Sequence, residues 1–390
     1  MMKNTRNIGL YIHVPFCLHK CAYCDFCSAV PSDKLQIGAY VDALTLDIQN
    51  TARVLERDNV VVDSIYVGGG TPTLMSKRDI RFLIDTIYES FRVTEDAEFT
   101  FEVNPATLDR GKANTLIDCG VNRLSIGLQS VHQNELEALS RIHSYKDFVS
   151  SYKMARRAGF ENINVDVMYG IPEQTEESFR ETLSLVCELE PEHISMYGLR
   201  IEDGTPFGVH RAELPLPTED EEYAMFREGR KYLKEHGYEH YEISNYAKEG
   251  FASKHNYKYW RCEEYIGIGV AAHSFYDGRR YAKINNTDRY ISYICAEESD
   301  FASTILASSI EKVDKASLEC EYVMLGLRLR AGVVKSEYKK KFGVSFDSKY
   351  ADRIREYADA GFIIDTQKSC SFSPEGMYVS NRILSDILDL

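Results

Sequence analysis

Tyr11-Ile-His-Val-Pro-Phe-Cys17-Leu-His-Lys-Cys21-Ala-Tyr-Cys24-Asp-Phe-Cys27 is the stretch that decides how the chain is read. Cys17, Cys21 and Cys24 are spaced C-x3-C-x2-C, with the aromatic Tyr23 before the last of them. Three thiolates on so short a loop can hold three corners of an iron–sulfur cube and leave the fourth iron open to a ligand. The alternating run before them, Gly9 to Val14, reads as a strand. The cysteines then sit on the loop after a first strand, where α/β barrels carry their chemistry. The same residues also admit a structural zinc site. That needs a fourth ligand, for which only Cys27, spaced C-x2-C from Cys24, or His19 is near, because no separate C-x2-C pair follows beyond Cys27.

Outward from this loop, strand and helix alternate. Short β-rich runs occur at Leu10–Val14, Ser64–Val67, Glu98–Val103, Arg123–Leu128, Asn162–Met168 and His193–Tyr197. Helical patterns lie between them, around Gly38–Leu55, Lys77–Phe91, Arg110–Cys119, Tyr145–Ala158 and Thr175–Leu189. Such alternation predicts a parallel sheet with crossover helices. Six strands are too few for a complete eight-strand barrel, so an open, partial barrel or a doubly wound sheet is expected.

Past Tyr197 the rhythm stops. Leu199–Pro217 reads as a linker. Thr218 and Glu221 predict a capping box for a helix that Gly237 can end. The aromatic and glycine-rich segment Tyr238 to Tyr281 reads as further strands. From about Ser308, helical patterns at Lys315–Leu329 and Lys349–Ala360 precede a hairpin of Gly361-Phe-Ile-Ile-Asp and Cys370–Gly376, the outline of a winged-helix-like unit. The expected domains are thus 1–200, 201–305 and 306–390.

Composition narrows the function classes. The chain has 390 residues and a formal charge of −14, which argues against nonspecific nucleic-acid binding. No apolar run reaches the ~18–20 residues of a spanning helix. The start shows no apolar stretch with a cleavage site, so a cytoplasmic chain with reduced cysteines is expected.

Several polar residues fall at strand ends, where side chains of such barrels point into a site. Glu102 closes the third strand, Gln129 ends the fourth, Arg141 follows in Ser140-Arg141-Ile-His, and Asp166 lies in Asn164-Val-Asp166-Val-Met. Gly68-Gly69-Gly70-Thr71-Pro72 follows the second strand and lets backbone approach a ligand, or simply turns the chain. Each polar position alone could be a cap, an ion pair or a buried hydrogen-bond partner.

These motifs together resemble the radical S-adenosylmethionine (SAM) superfamily. Within it the chain is similar to the branch of oxygen-independent coproporphyrinogen III oxidase and the heme chaperone HemW, over essentially its whole length. The resemblance implies an α/β fold, a partial (β/α)6 barrel with a C-terminal α+β extension. It implies a 4Fe-4S cluster on Cys17, Cys21 and Cys24. It also implies SAM held by Tyr11, Tyr23, Gly69, Gly70, Thr71, Glu102, Gln129, Arg141 and Asp166. Phe26 stands where the oxidase pattern has a further cysteine, and the few residues ahead of the first strand are not expected to supply the oxidase's N-terminal extension. His255-Asn-Tyr-Lys-Tyr-Trp260 resembles the HemW signature associated with heme, which makes His255 and Trp260 candidate heme contacts. His255 and the later His273 could equally be hydrogen-bonded residues beside a packed tryptophan.

The expected function is heme binding and delivery to acceptor hemoproteins. Delivery would bring a cytoplasmic protein to the inner face of the membrane; a homodimer is open, and no nucleic acid is expected. The alternative is a radical SAM enzyme acting on a tetrapyrrole, an oxidase of coproporphyrinogen III or a heme-modifying methyltransferase. The radical SAM machinery reads as intact, whereas the coproporphyrinogen reaction is not expected.

Overall fold

A computed structural model describes residues 5–295 and 310–389. Six strands, β1 (Arg6–Val14), β2 (Val60–Gly69), β3 (Val93–Val103), β4 (Arg123–Gln129), β5 (Ile163–Tyr169) and β6 (His193–Gly198), lie parallel in chain order. Most are longer than their apolar runs, because pairing continues past the residues that pack.

Both edges of this sheet are extended by strands that come after β6 in the chain. β7 (Glu239–Glu242) and β8 (Asn245–Ala247) add antiparallel strands beyond β6. β9 (Tyr265–Ile268) pairs parallel to β1, and β10 (His273–Tyr276), β11 (Arg279–Ala282) and β12 (Ile310–Lys312) follow antiparallel. Among the described residues the result is a twelve-stranded open sheet with seven parallel strands at its centre, one more than the sequence pattern shows. The seventh pairing joins residues more than 250 positions apart, which no local periodicity reveals.

The pleat sorts the strands into two faces. Outward residues such as Ile8, Leu10, Ile12, Val14, Ile65, Val67, Phe99 and Phe101 are buried in one core with the crossover helices. Inward residues are polar or small: Gly9, Tyr11 and His13 on β1, Ser64 and Tyr66 on β2, Glu98, Thr100 and Glu102 on β3. The registers Gly9↔Ser64, Ser64↔Glu98 and Tyr11↔Tyr66 set them side by side. The barrel interior is therefore polar and the helix-facing side apolar. The crossover helices begin where polar caps stop the strand pattern. Ser76–Asp79 and Ser144–Asp147 form capping boxes, as Thr218–Glu221 does for the helix Glu219–Glu235 that follows β6.

Within Tyr238–Tyr281 the expectation of strands alone fails at one place. Lys254–Trp260 is a short helix, capped by Ser253 Oγ on the Asn256 N–H. It packs against β2 inside the barrel, so its aromatic side chains contact the interior.

The C-terminal unit has its own core around Val323, Tyr338, Phe346 and Phe372. Helices Lys315–Gly326, Lys335–Phe342 and Phe346–Asp359 pack on a sheet of β13 (Val333–Val334), β15 (Ser369–Phe372) and β14 (Ile363–Asp365), in that order. The expected hairpin is present, but its second strand stops at Phe372. Ser373 caps a new helix with Pro374 in its first turn.

One buried ion pair locks the sheet extension to the first crossover helix, Lys34–Leu55. Asp47 accepts from Lys283 Nζ at 2.7 Å and from the Tyr290 hydroxyl at 2.7 Å, with both charged side chains almost fully buried. Replacing Asp47 by Ala strands the Lys283 ammonium. The expected loss is about 3–5 kcal/mol in a chemical-denaturation curve, as for other broken buried pairs.

Candidate functional site at the mouth of the barrel

The loop after β1 is fastened to its surroundings by backbone bonds. Cys17 N donates to Ala29 O at 3.0 Å, Ala22 N to Leu139 O at 3.2 Å, and Cys24 N to Cys21 O at 3.2 Å. The glycine turn after β2 closes on the same loop. Gly70 N donates to Val14 O and Thr71 N to Phe16 O. A Cβ at Gly70 would lie 2.6 Å from Phe16 O, so only glycine permits this approach. Gly69 has φ +109°, and a Cβ there would strike the His13 ring.

Cys17, Cys21 and Cys24 border one cavity of about 450 Å3 at the carboxyl end of the strands. The Thr71 hydroxyl reaches Cys17 Sγ at 3.7 Å, and Arg141 Nη1 reaches Cys21 Sγ at 3.6 Å. Burial pushes the Cys17 and Cys24 thiols up, and neighbouring cysteines add to it. Grouped thiols that repel one another as anions are a donor set suited to a strongly cationic centre. Among the described residues no three His, Cys, Asp or Glu side chains close round a single ion. The three thiols border a space instead, and a cluster with one iron per thiol would occupy it. Cys27, the alternative fourth ligand, borders a separate cavity. Its carbonyl meets His13 Nε2 at 2.8 Å. His19 does border the mouth cavity.

The same cavity is lined by Tyr23, Gly69, Gly70, Thr71, Glu102, Gln129, Arg141 and Asp166. Eight of the nine residues expected for SAM thus come together. Tyr11 is the exception: its hydroxyl meets His13 Nδ1 at 2.9 Å and its ring stands beside Tyr66, away from the lining. Tyr66, its partner in the β1–β2 register, is the tyrosine that reaches the lining. It lines the cavity and donates to Glu102 Oε1 at 2.8 Å. The signal for it is the alternation of β2, in which Ser64, Tyr66 and Gly68 share a face.

The charged groups are held from behind. Glu102 Oε2 accepts from Gly69 N at 3.0 Å, and Asp166 accepts from Asn164 Nδ2 at 2.7 Å. Burial lifts the Glu102 carboxyl to about 7; Asp166 nearby adds to this, while the Tyr66 and Gly69 bonds oppose it. Burial also raises Asp166, against its hydrogen bonds from Asn164 and Ser195. Gln129 has φ +73° at an irregular step in the β4–β5 register, a strained backbone of the kind found at ligand sites. Arg141 Nη2 donates to Gly127 O, and its buried Nε has no partner. Two carboxylates and an unpaired guanidinium N–H suit a ligand carrying both an ammonium and a carboxylate.

The HNxxYW segment is divided by the fold. Trp260 borders a second cavity of about 410 Å3, with Tyr259, Tyr265 and Phe275 as aromatic walls and Glu242 and Asn245 also lining it. His255 does not line it. It is 1% exposed, and both ring nitrogens are hydrogen-bonded within the core, Nδ1 with Ser64 Oγ at 3.0 Å and Nε2 with the Tyr259 hydroxyl at 2.8 Å. His273 is exposed at the start of β10.

Residues 11–186 match the radical SAM superfamily and residues 320–379 the HemN C-terminal domain. The protein of Bacillus subtilis named heme chaperone HemW is 33% identical over 97% of this chain and 98% of its own length. Its Escherichia coli namesake is 38% identical over 70% of this chain and 72% of that one. The chain belongs to the HemW family. The solved structure of the E. coli coproporphyrinogen III oxidase, HemN, described as a radical SAM enzyme, shares the fold. It superimposes with a TM-score of 0.84 over 98% of this chain and 90% of the other, at 22% identity. Membership of the superfamily implies a 4Fe-4S cluster and SAM, and the thiols, carboxylates and unpaired Arg141 N–H at the barrel mouth fit both.

A ligand ammonium prefers the ionised Glu102. That carboxyl is uncharged below about pH 7 and charged above it. Asp166, Tyr66 and the Gly69 N–H face the same group. SAM affinity of the cluster-loaded protein is therefore expected to rise with pH up to about 7 and level off above it, falling by at most about tenfold per pH unit on the acid side. Calorimetric titration between pH 6 and 8 reads this directly. Glu102→Gln should give weaker binding with a shallower pH dependence, because the raised Asp166 carboxyl still faces the ligand.

Proposed function

We propose that the chain is a heme chaperone, which binds heme and passes it to acceptor hemoproteins from a radical SAM scaffold. The full-length similarity to HemW proteins carries this reading. In it, Cys17, Cys21 and Cys24 hold the cluster. Glu102, Asp166, Gln129 and Arg141 hold SAM, with Tyr23, Gly69, Gly70 and Thr71 around it. When bound, the cluster supplies single electrons to its sulfonium ligand. The chain's own part is to fix that ligand's ammonium and carboxylate and to keep the cavity walls in place.

The aromatic cavity beside Trp260 is the proposed heme contact. Tyr259, Trp260, Tyr265 and Phe275 offer flat apolar surface to a macrocycle. Arg280 lines the same cavity, and its Nε lacks a partner, which suits a propionate. No described helix is long and apolar enough to cross a membrane, so an acceptor in a membrane would be met peripherally. Vesicle flotation tests that contact, and sedimentation with and without the cluster tests for a homodimer.

The three thiols and the eight further residues gathered at the barrel mouth favour keeping the enzymatic reading as the second one. Phe26, 63% exposed at the rim of the cavity, speaks against the oxidase. Anaerobic purification, cluster reconstitution, hemin titration and a coproporphyrinogen assay on one sample separate the two. Expected are stoichiometric hemin binding, transfer to an apo-cytochrome, and no vinyl product. Vinyl product without hemin transfer would reverse the assignment. Trp260→Ala should weaken hemin binding by roughly tenfold, the effect of losing one stacked ring worth about 1–1.5 kcal/mol.

A further inference from the structure

We infer that His255 is a positioning residue that couples the aromatic cavity to the mouth cavity, and that it does not ligate the iron of a bound heme. The inference rests on the heme-chaperone reading above and concerns how its two cavities communicate.

The inward faces of β2 and β3 carry side chains at two levels of the barrel. Ser64 and Tyr66 project to the same side of β2, as do Glu98 and Glu102 on β3. The lower member of each pair touches the helix Lys254–Trp260, and the upper member faces the mouth cavity. Ser64 Oγ bonds His255 Nδ1 at 3.0 Å, and Glu98 Oε1 accepts from the His255 N–H at 3.0 Å. Tyr66 bonds Glu102 at 2.8 Å, and its ring lies against the His255 imidazole, centroids 5.5 Å apart and planes inclined by 33°. On its far side His255 bonds the Tyr259 hydroxyl at 2.8 Å, with the two rings edge to face. Tyr259 lines the aromatic cavity. A continuous contact path thus runs from Glu102 through Tyr66 and His255 to Tyr259. Tyr197 is also a common wall of the two cavities.

The same contacts leave no room for iron. Either ring nitrogen would have to exchange a hydroxyl partner for the metal. The ring is also confined on the β1 side, where a Cβ on Gly9 would lie 3.2 Å from His255 Cε1. A ligand that draws Glu102 towards itself moves the Tyr66 hydroxyl, and the ring packed on His255 moves with it. Tyr259 then shifts in the wall of the other cavity. Such coupling is reciprocal by linkage.

The test uses the full chain, reconstituted anaerobically with iron and sulfide, and takes hemin and SAM as probes. In the wild type, saturating SAM is expected to change hemin affinity by about fivefold or more, the usual lower size of such couplings. Ser64→Ala and His255→Gln should bring that ratio towards one. The absorption and electron paramagnetic resonance spectra of bound hemin should be unchanged in both. Loss of a nitrogen-ligand signature in His255→Gln, restored by free imidazole, would overturn the inference. So would a hemin affinity indifferent to SAM in the wild type, or a coupling that survives Ser64→Ala. The Ser64 variant keeps the imidazole and carries the test where His255→Gln does not fold. No hemin binding by the wild type would instead remove the heme-chaperone reading itself.

Discussion

One carboxylate, Glu98, fixes what the barrel can contain. It accepts from Ser253 Oγ at 2.9 Å, from Lys254 N at 2.8 Å and from His255 N at 3.0 Å. The two backbone donors belong to the first turn of the helix Lys254–Trp260, which has no intrahelical acceptor for them. A buried donor left without a partner costs about 1–3 kcal/mol. Glu98 removes that cost and brings a negative charge to the positive end of the helix. A seven-residue helix has little stability of its own. It persists because a strand inside the barrel supplies its cap. Once it is seated, the barrel interior is filled below Ser64 and Glu98 and open above Tyr66 and Glu102, so the location of both cavities follows from this one attachment.

The open half carries unrelieved electrostatics. Glu102 and Asp166 are buried near each other, and each is pushed up by burial. Arg141 brings its charge to the same cavity but spends its hydrogen bonds on Gly127, Asn104 and Cys21, keeping one N–H unpaired. Gln129 adds a left-handed backbone. A protein interior built only for stability would avoid such a set. Sites that must bind a zwitterion next to a metal cluster accept it, because the ligand supplies the missing charges and partners.

How much of this was legible in the sequence follows from the range of the interactions. The cysteine loop is local, and its spacing alone carries its chemistry. The six central strands and their crossover helices are legible because outward Leu, Ile, Val and Phe alternate with inward polar residues. The capping box at Thr218 is legible for the same local reason. Lys254–Trp260 is not, because seven residues hold too few turns to show a helical period and its tyrosines favour a strand reading. Its one local signal is Ser253, three residues before Asn256. The parallel pairing of β9 with β1 is invisible because it is long-range. Tyr11 was expected at the cofactor and Tyr66 was not. Both face inward, and only the three-dimensional packing decides which of two neighbouring tyrosines reaches the cavity.

The fold itself cannot distinguish the oxidase from the chaperone. A TM-score of 0.84 over nearly the whole chain at 22% identity shows that one architecture serves both the HemN structure and this chain. What differs must lie in side chains set on the shared frame. The cysteine loop is common machinery, held by Val14, Phe16 and Ala29 through backbone bonds that tolerate many side chains. Phe26, on that loop, is exposed at the rim and carries no ligand atom. At the place where the oxidase pattern has a further cysteine, it removes a sulfur and adds apolar surface. The aromatic cavity lies on the other side of Tyr197 and is walled by residues from β9, β10 and the capped helix. A frame that places an aromatic pocket against a cofactor cavity gives the two ligands a shared wall. That arrangement suits a protein whose cofactor governs the holding of a cargo as well as it suits one that transforms a substrate.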